Sequence, residues 1–590
     1  MGRPCSSPER RRSRKGFETG GENDLQGGCL HPGPDSFRPR RFPSHRIQMM
    51  KSKSLLLLLL LLCGLLYLTR LGSVTFYEED EPRFASAVRT MVETGDYITP
   101  RFNGKLRINK PILFYWLAAA TSHVVGVGEL GARLPSALLA TGLVVMAFFF
   151  ARAYGSVRFA GLVAFLVATC LQYAVVLGRA ATADMTFIFF LTAALFAFFR
   201  SETEPSSRRW VLWFWASLAL ATLAKGPAAV VLAGATVGLF LILRGTLLDG
   251  VKRTITIPGL GLFALIAVPW FAVELHLLGK TFWRGFFIAE HFGRYAGTAD
   301  PHHGPIWFFI PVLLLMFYPW SLFLPAGLAG VLAERRSKEP PLRLYALCWS
   351  AVVFGLFSFS GTKLPHYIAP LYPAAAILAA RAWEERLAGR ASRLWQAGAG
   401  VLALLGLLLG GALLFVGLDG ATLERLSSGL VTESEPRLVV FGLLLGGAGV
   451  LGGALLLARR RPETAFCVMG GLLVAALAWG NIALAPVVAR CWQDPVRHLA
   501  EDAAARAGEE GQLAIYAMAS SGVVYYSKRT VAWVKRHEDT HRLEALARRG
   551  PLYVITKPSR VEKIPARLGL RELRREGAYV LLGPEKGIAP

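Results

Sequence analysis

Long apolar runs recur along this chain between residues 54 and 490, separated by short charged connectors. A helix needs about 20 mostly apolar residues to cross the hydrocarbon of a bilayer. On that measure the pattern predicts spans near 54–69, 131–152, 157–176, 183–199, 209–223, 227–244, 255–278, 306–332, 342–359, 366–386, 395–417, 437–458 and 464–490. The run 112–127 is shorter and is interrupted by Thr121-Ser122-His123, so it reads as an interfacial helix. From residue 491 the pattern changes. Short β-like runs (Leu513 to Ala517, Gly522 to Tyr526, Thr530 to Trp533, Leu552 to Ile555, Tyr579 to Leu582) alternate with helical stretches such as 495–507 and 541–549, which predicts a small α/β domain over 491–590.

Charge tests this count. With Lys51 and Lys53 on the cytoplasmic side, alternation places Arg152 and Arg158; Arg200, Arg208 and Arg209; and Arg244, Lys252 and Arg253 in cytoplasmic loops. The later cytoplasmic loops carry Arg335, Arg336, Lys338 and Arg343; Arg381, Arg386, Arg390 and Arg393; and Arg459, Arg460 and Arg461. Every one is basic, as the positive-inside rule requires. An odd number of spans then puts residues 491–590 outside. A span at 112–127 would reverse every later loop, so thirteen is the expected count and 49–490 the membrane domain.

Residues 1–48 are rich in Arg, Pro, Ser and Gly and lack apolar periodicity, so they read as a disordered basic extension. Met49-Met50-Lys51-Ser52-Lys53 precedes an apolar stretch in the manner of a signal anchor, which makes the extension a start-site artefact or a disordered cytoplasmic tail.

Composition agrees with a membrane protein. The 590 residues are 53% hydrophobic and 18% charged, with mean hydropathy +0.42. The net charge of +25 would suggest nucleic acid in a soluble chain; here it marks cytoplasmic loops and contacts with anionic lipid or phosphate, and no nucleic-acid partner is expected. Cysteines 5, 29, 63, 170, 348, 467 and 491 form no metal-type spacing and no disulfide framework.

Alternation also sorts the unusual polar residues, and nearly all fall outside. The first outer connector, about 78–127, carries Glu78-Glu79-Asp80-Glu81-Pro82-Arg83 and Asn109-Lys110-Pro111. Later ones carry Arg179 and Asp184; Lys225-Gly226-Pro227; Glu290-His291, Arg294-Tyr295, Asp300 and His302-His303; and Lys363-Leu364-Pro365-His366-Tyr367. Ionisable groups within apolar flanks, such as Asp184 and Lys225, are costly and suggest a function. Their co-location fits group transfer from a lipid-linked phosphate. Lys110, Lys225, Arg294 and Lys363, with Arg83 nearby, would neutralise the phosphate, while Asp80 and Asp184, with Glu81, would orient an acceptor hydroxyl or take its proton. There is no Walker-type loop, so no nucleotide cofactor is expected.

These residues resemble the polytopic GT-C glycosyltransferases that use polyprenyl-phosphate sugars, in particular the 4-amino-4-deoxy-L-arabinose transferases of lipid A and the protein mannosyltransferase superfamily. The matching stretches are Asp80 to Ala85 with Gly95 to Pro100, Lys110-Pro111-Ile112 with Tyr115-Trp116, Lys225-Gly226, Glu290-His291 through Tyr295, Pro311-Val312 with Pro319-Trp320, and Lys363-Leu364-Pro365 with Tyr367. The resemblance covers about 50–590. It implies juxtamembrane helices in the first outer loop over a cavity, with Asp80 near acceptor and donor sugar and Asp184 a second functional aspartate. Lys110 and Tyr367 would face the lipid phosphate. It also implies a divalent metal, zinc or magnesium, near the fourth outer loop, with Glu290, His302 and His303 as candidate ligands. One departure is Asn109, where the lipid A transferases have Glu before the lysine; this bears on whether the donor sugar carries an amine.

The expectation is an all-α polytopic membrane protein of GT-C type with a small C-terminal periplasmic α/β domain, in the bacterial inner membrane. Its expected function is glycosyl transfer from undecaprenyl phosphate to lipid A, with a protein acceptor second. A flippase for polyprenyl-linked sugars is the alternative from another class; inverted repeats would favour it, and none is visible.

Overall fold

A computed structural model describes residues 45–77, 79–293, 303–329, 331, 341–390, 392–426, 435–458, 461–535 and 537–584. Residues 49–590 form one compact unit. Each of the thirteen apolar runs is helical over much of its length. Seven helices among the described residues are long and apolar enough to cross a membrane, the longest being Pro462–Trp492. An eighth candidate, Ile306–Met316 with Trp320–Leu328, is bent by 108°. The other runs fall short for visible reasons: Val157–Ala168 ends after one short helix and Ala228–Arg244 has only 17 residues. The chain is a multi-span membrane protein.

The elements that build the site can be followed along the chain. Helix α1 (Asp80–Thr94) opens the first large connector. Its last turn is closed by Gly95, whose φ of +74° lets the amide turn back onto the Met91 carbonyl. A hairpin follows, β1 (Arg101–Phe102) and β2 (Lys105–Leu106), paired antiparallel. Its two turn residues, Asn103 (φ +53°) and Gly104 (φ +72°), are the Asn-Gly pair that tight hairpins favour, because both central positions need positive φ. Helix α2 (Leu113–Val125) then lies where the interfacial helix was expected.

Four further helices reach the same region: α3 (Ala183–Thr203), α4 (Arg208–Lys225), α5 (Ala228–Arg244) and α6 (Leu342–Phe359). Between α4 and α5 the chain reverses at Gly226, with φ +73° and ψ −151°, a region open only to glycine, so the turn sits immediately after Lys225.

The C-terminal region contains α7 (Asp494–Ala507), β3 (Gln512–Tyr516), α8 (Ser521–Ser527), β4 (Ala532–Val534), β5 (Leu552–Thr556), β6 (Leu570–Glu576) and β7 (Tyr579–Pro584). The sheet order is β4-β3-β5-β7-β6, with β4, β3 and β5 parallel and β7 and β6 antiparallel. Its core is Tyr516, Val534, Val554, Val580 and Leu582.

Two expectations fail here. Gly522 to Tyr526, rich in β-formers, is helical, because all of α8 is buried against the rest of the chain and tertiary packing overrides local preference. Strand β6 (LRELRRE) was not anticipated; as an edge strand it is mostly exposed and charged rather than apolar.

Candidate active site

A cavity of about 1170 Å³ lies where these elements meet. Its polar lining includes Glu79, Asp80 and Arg83 from α1, Arg107, Asn109 and Lys110 from the connector after the hairpin, Asp184 from α3 and Lys225 from α4. Glu290, Ser360, His366 and Tyr367 come from later connectors, and Trp533 from β4. The remainder is apolar, with Val231 and Leu232 of α5 and Leu356 and Phe357 of α6 among the wall residues. Charged groups and hydrocarbon together line one amphipathic chamber.

Two ion pairs organise the charge. Lys225, on the last turn of α4, contacts the Asp184 Oδ1 in the first turn of α3. Each charge sits at the helix end its dipole favours, a cation at a C-terminus and an anion at an N-terminus. His366 Nε2 stands 3.9 Å from the same carboxylate oxygen. The Lys225 ammonium also lies 5.5 Å from the Phe187 ring centroid and 5.7 Å from that of Tyr367. The second pair joins Lys110 to Glu290 Oε1, while the Asn109 amide donates to Glu290 Oε2 at 3.3 Å. Asp80 is different. Its side chain is 63% exposed, with Arg83 at 3.9 Å, and Arg83 is itself held by Glu79 at 2.5 Å and by Ser521 of α8 at 2.9 Å.

The structure thus brings Asp80, Arg83, Lys110, Asp184, Lys225, Glu290 and Tyr367 to one cavity. Other expected residues go elsewhere. Glu81 points away from the lining into a buried clamp: Arg133 Nε and Nη2 donate to its two oxygens at 2.8 and 2.7 Å, and the Tyr77 and Ala181 amides at 2.7 Å each. Both side chains are only 6% exposed. Lys363 is also outside the lining. Its ammonium donates to the Ser358 and Ser360 carbonyls at 2.8 Å each, capping the C-terminal end of α6, and burial pulls its pKa below the usual lysine value.

The described residues do not assemble a donor set for a divalent ion. Glu290 is taken by Lys110 and Asn109, and His303 Nδ1 faces the Gly361 carbonyl at 3.3 Å. Arg294 and His302 lie outside the described residues.

Arg107 and Trp533 also line the cavity and are not singled out by the sequence, and Glu79, named there only within the acidic run, lines it too. The Asn103-Gly104 turn signal was the available clue to Trp533. The Asn103 side chain pairs with Val531 as a strand would, donating to its carbonyl and accepting from its amide, both at 2.8 Å, which seats the hairpin beside β4.

Comparisons with known proteins follow this geometry. The family model for dolichyl-phosphate-mannose-protein mannosyltransferase matches residues 52–278. An undecaprenyl phosphate-alpha-4-amino-4-deoxy-L-arabinose arabinosyl transferase from Pseudomonas fluorescens is 31% identical over 430 residues, 71% of this chain and 74% of that protein. The chain belongs to this arabinosyl transferase family. A second member of it, from Pseudomonas paraeruginosa, is 31% identical over 438 residues, 71% of this chain and 75% of that protein. ArnT from Cupriavidus metallidurans bound to undecaprenyl phosphate shares the fold, with a TM-score of 0.73 at 22% identity, over 93% of this chain and 100% of that one. As a member of this family the chain is a glycosyltransferase.

Proposed function

We propose that the chain moves a glycosyl unit from undecaprenyl phosphate to lipid A on the periplasmic side of the bacterial inner membrane. In this reading all thirteen helical runs cross the bilayer and residues 491–590 lie in the periplasm. The observation that carries the chemistry is the convergence of Asp80, Lys110, Asp184 and Lys225 on one cavity with apolar helix walls.

The polyprenyl tail lies along the apolar helix faces and the phosphate meets Lys110, Lys225 and Arg83. Asp80 accepts the proton of the acceptor hydroxyl as its oxygen bonds to the sugar's anomeric carbon. The bond from that carbon to the phosphate oxygen breaks, and the phosphate leaves with the electron pair. The cations stabilise the charge gained by the leaving group in a site of lowered dielectric. Asp184 is bound to Lys225, so its part is to hold that ammonium in place rather than to act as base. Glu81 and Lys363 build the scaffold.

A purified-protein assay with undecaprenyl phosphate-linked 4-amino-4-deoxy-L-arabinose and lipid A tests the reading, alongside mass spectrometry of lipid A from a deletion strain. Lipid A left unmodified in the assay and an unchanged lipid A profile in the deletion strain would defeat it. A protein acceptor is the second reading, supported by the mannosyltransferase model that matches residues 52–278; glycosylated periplasmic protein lost in the same deletion strain would favour it.

A further inference from the structure

Among the described residues, one from the C-terminal region lines the cavity, Trp533. It sits at the opposite extreme of the chain from the α1 carboxylates, on a short edge strand whose register sets Trp533 beside Ile515 of β3. Its ring meets Phe102 of the hairpin edge to face, with centroids 6.3 Å apart and planes at 80°. The paired hydrogen bonds between Asn103 and Val531, two residues before Trp533, fix the strand to the hairpin. The indole is therefore held from both sides. Its N–H is shielded from solvent and has no hydrogen-bond acceptor among the described residues. Buried donors without acceptors are uncommon and call for an explanation.

We propose that Trp533 is an acceptor-positioning residue, a platform on which a pyranose ring of the acceptor glycolipid stacks while its hydroxyl faces Asp80. This rests on the glycosyl-transfer reading above and adds to it the part played by the C-terminal domain. Three features select the acceptor rather than the donor. The lysines that suit a phosphate and the hydrocarbon walls that suit a polyprenyl tail belong to residues before 491, whereas Trp533 comes from the C-terminal sheet. The face of an indole is apolar and accepts the C–H face of a sugar ring. The indole N–H, which no described protein group accepts, is also a donor that a ring hydroxyl could use.

The test uses the full-length protein in lipid nanodiscs and measures two affinities separately, for undecaprenyl phosphate and for lipid A. Trp533→Ala should weaken lipid A binding roughly tenfold, the scale of one lost aromatic contact, and leave undecaprenyl phosphate binding within about twofold. Trp533→Phe keeps the contact with Phe102 and should lose only about threefold for lipid A. It carries the comparison if the alanine variant does not fold, as judged by its melting temperature. Lipid A affinity unchanged in either folded variant would overturn the proposal. So would an equal loss for both ligands, which marks a structural residue, or a wild-type protein that does not bind lipid A. Failure of the wild type to bind undecaprenyl phosphate would instead strike the donor reading, leaving the lipid A comparison to decide the platform.

Discussion

Lys225 and Asp184 form an ion pair between the last turn of α4 and the first turn of α3, with 21% and 16% of their side chains exposed. Removing one partner leaves a largely buried charge uncompensated, at a cost of about 3–5 kcal/mol for a fully buried pair and less here. Asp184→Asn and Lys225→Met should each lower the melting temperature, and the double variant should recover part of the loss. Transfer should stay low in both variants that lack the ammonium, since the phosphate has lost a cation. A Lys225→Met protein that transfers at the wild-type rate would remove Lys225 from the site.

Asp80 carries a different expectation, because it is exposed to the cavity and held only loosely by Arg83 at 3.9 Å. Asp80→Asn preserves shape and should fold normally. If the carboxylate takes the acceptor proton, the transfer rate should fall by roughly 10²–10⁴-fold while undecaprenyl phosphate binding is kept. Steady-state kinetics beside a binding measurement separate the two effects.

The contrast between Asp80 and Glu81 shows where the sequence stopped being informative. Membrane sidedness placed both in the same outer connector, and Lys110, Asp184, Lys225 and Tyr367 on the same face; the structure brings Asp80 and those four into one cavity. The expected alternation depends on run lengths and charge alone, so it groups these residues without placing them in a cavity. Which of two adjacent carboxylates faces the cavity depends on the rotation of α1, and that is set by Arg133, more than fifty residues away. Lys363 was ambiguous for a similar reason: a lysine after a helix suits a phosphate and a row of carbonyls equally well. For Trp533 the Asn103-Gly104 turn was the one clue, and it did not say which strand the hairpin would meet, since that depends on a pairing between Asn103 and Val531.

Glu81 should accordingly behave as a structural residue. Glu81→Gln leaves Arg133 buried with its charge partner gone and one of two acceptor oxygens replaced by a donor, while the Arg133 bonds to the Leu71, Val74 and Thr75 carbonyls remain. Glu81→Gln and Arg133→Met should each reduce yield and melting temperature by a margin that Asp80→Asn does not show, on the order of 3 kcal/mol. What folded Glu81→Gln protein is recovered should transfer at near the wild-type rate per molecule. A well-folded Glu81→Gln protein with a rate as low as that of Asp80→Asn would return Glu81 to the chemistry.

Lys110 decides between a donor ligand and a lysine that merely satisfies Glu290. Its ammonium contacts Glu290 Oε1, and the Glu290 side chain is only 6% exposed, so the pair has a structural value of its own. Lys110→Ala therefore confounds two losses: a buried carboxylate deprived of its Lys110 partner, and a missing cation at the phosphate. Glu290→Gln separates them. It removes the carboxylate's charge and leaves the ammonium to the ligand, so donor KM should stay near wild type or fall. The double variant Lys110→Ala with Glu290→Gln should regain the stability lost in Lys110→Ala but keep its raised donor KM, because nothing has replaced the cation. Lys110→Arg should restore part of the donor affinity, since charge is kept while the geometry changes. Should the double variant recover donor KM along with stability, the lysine serves only to neutralise Glu290, and the phosphate must be held by Lys225 and Arg83.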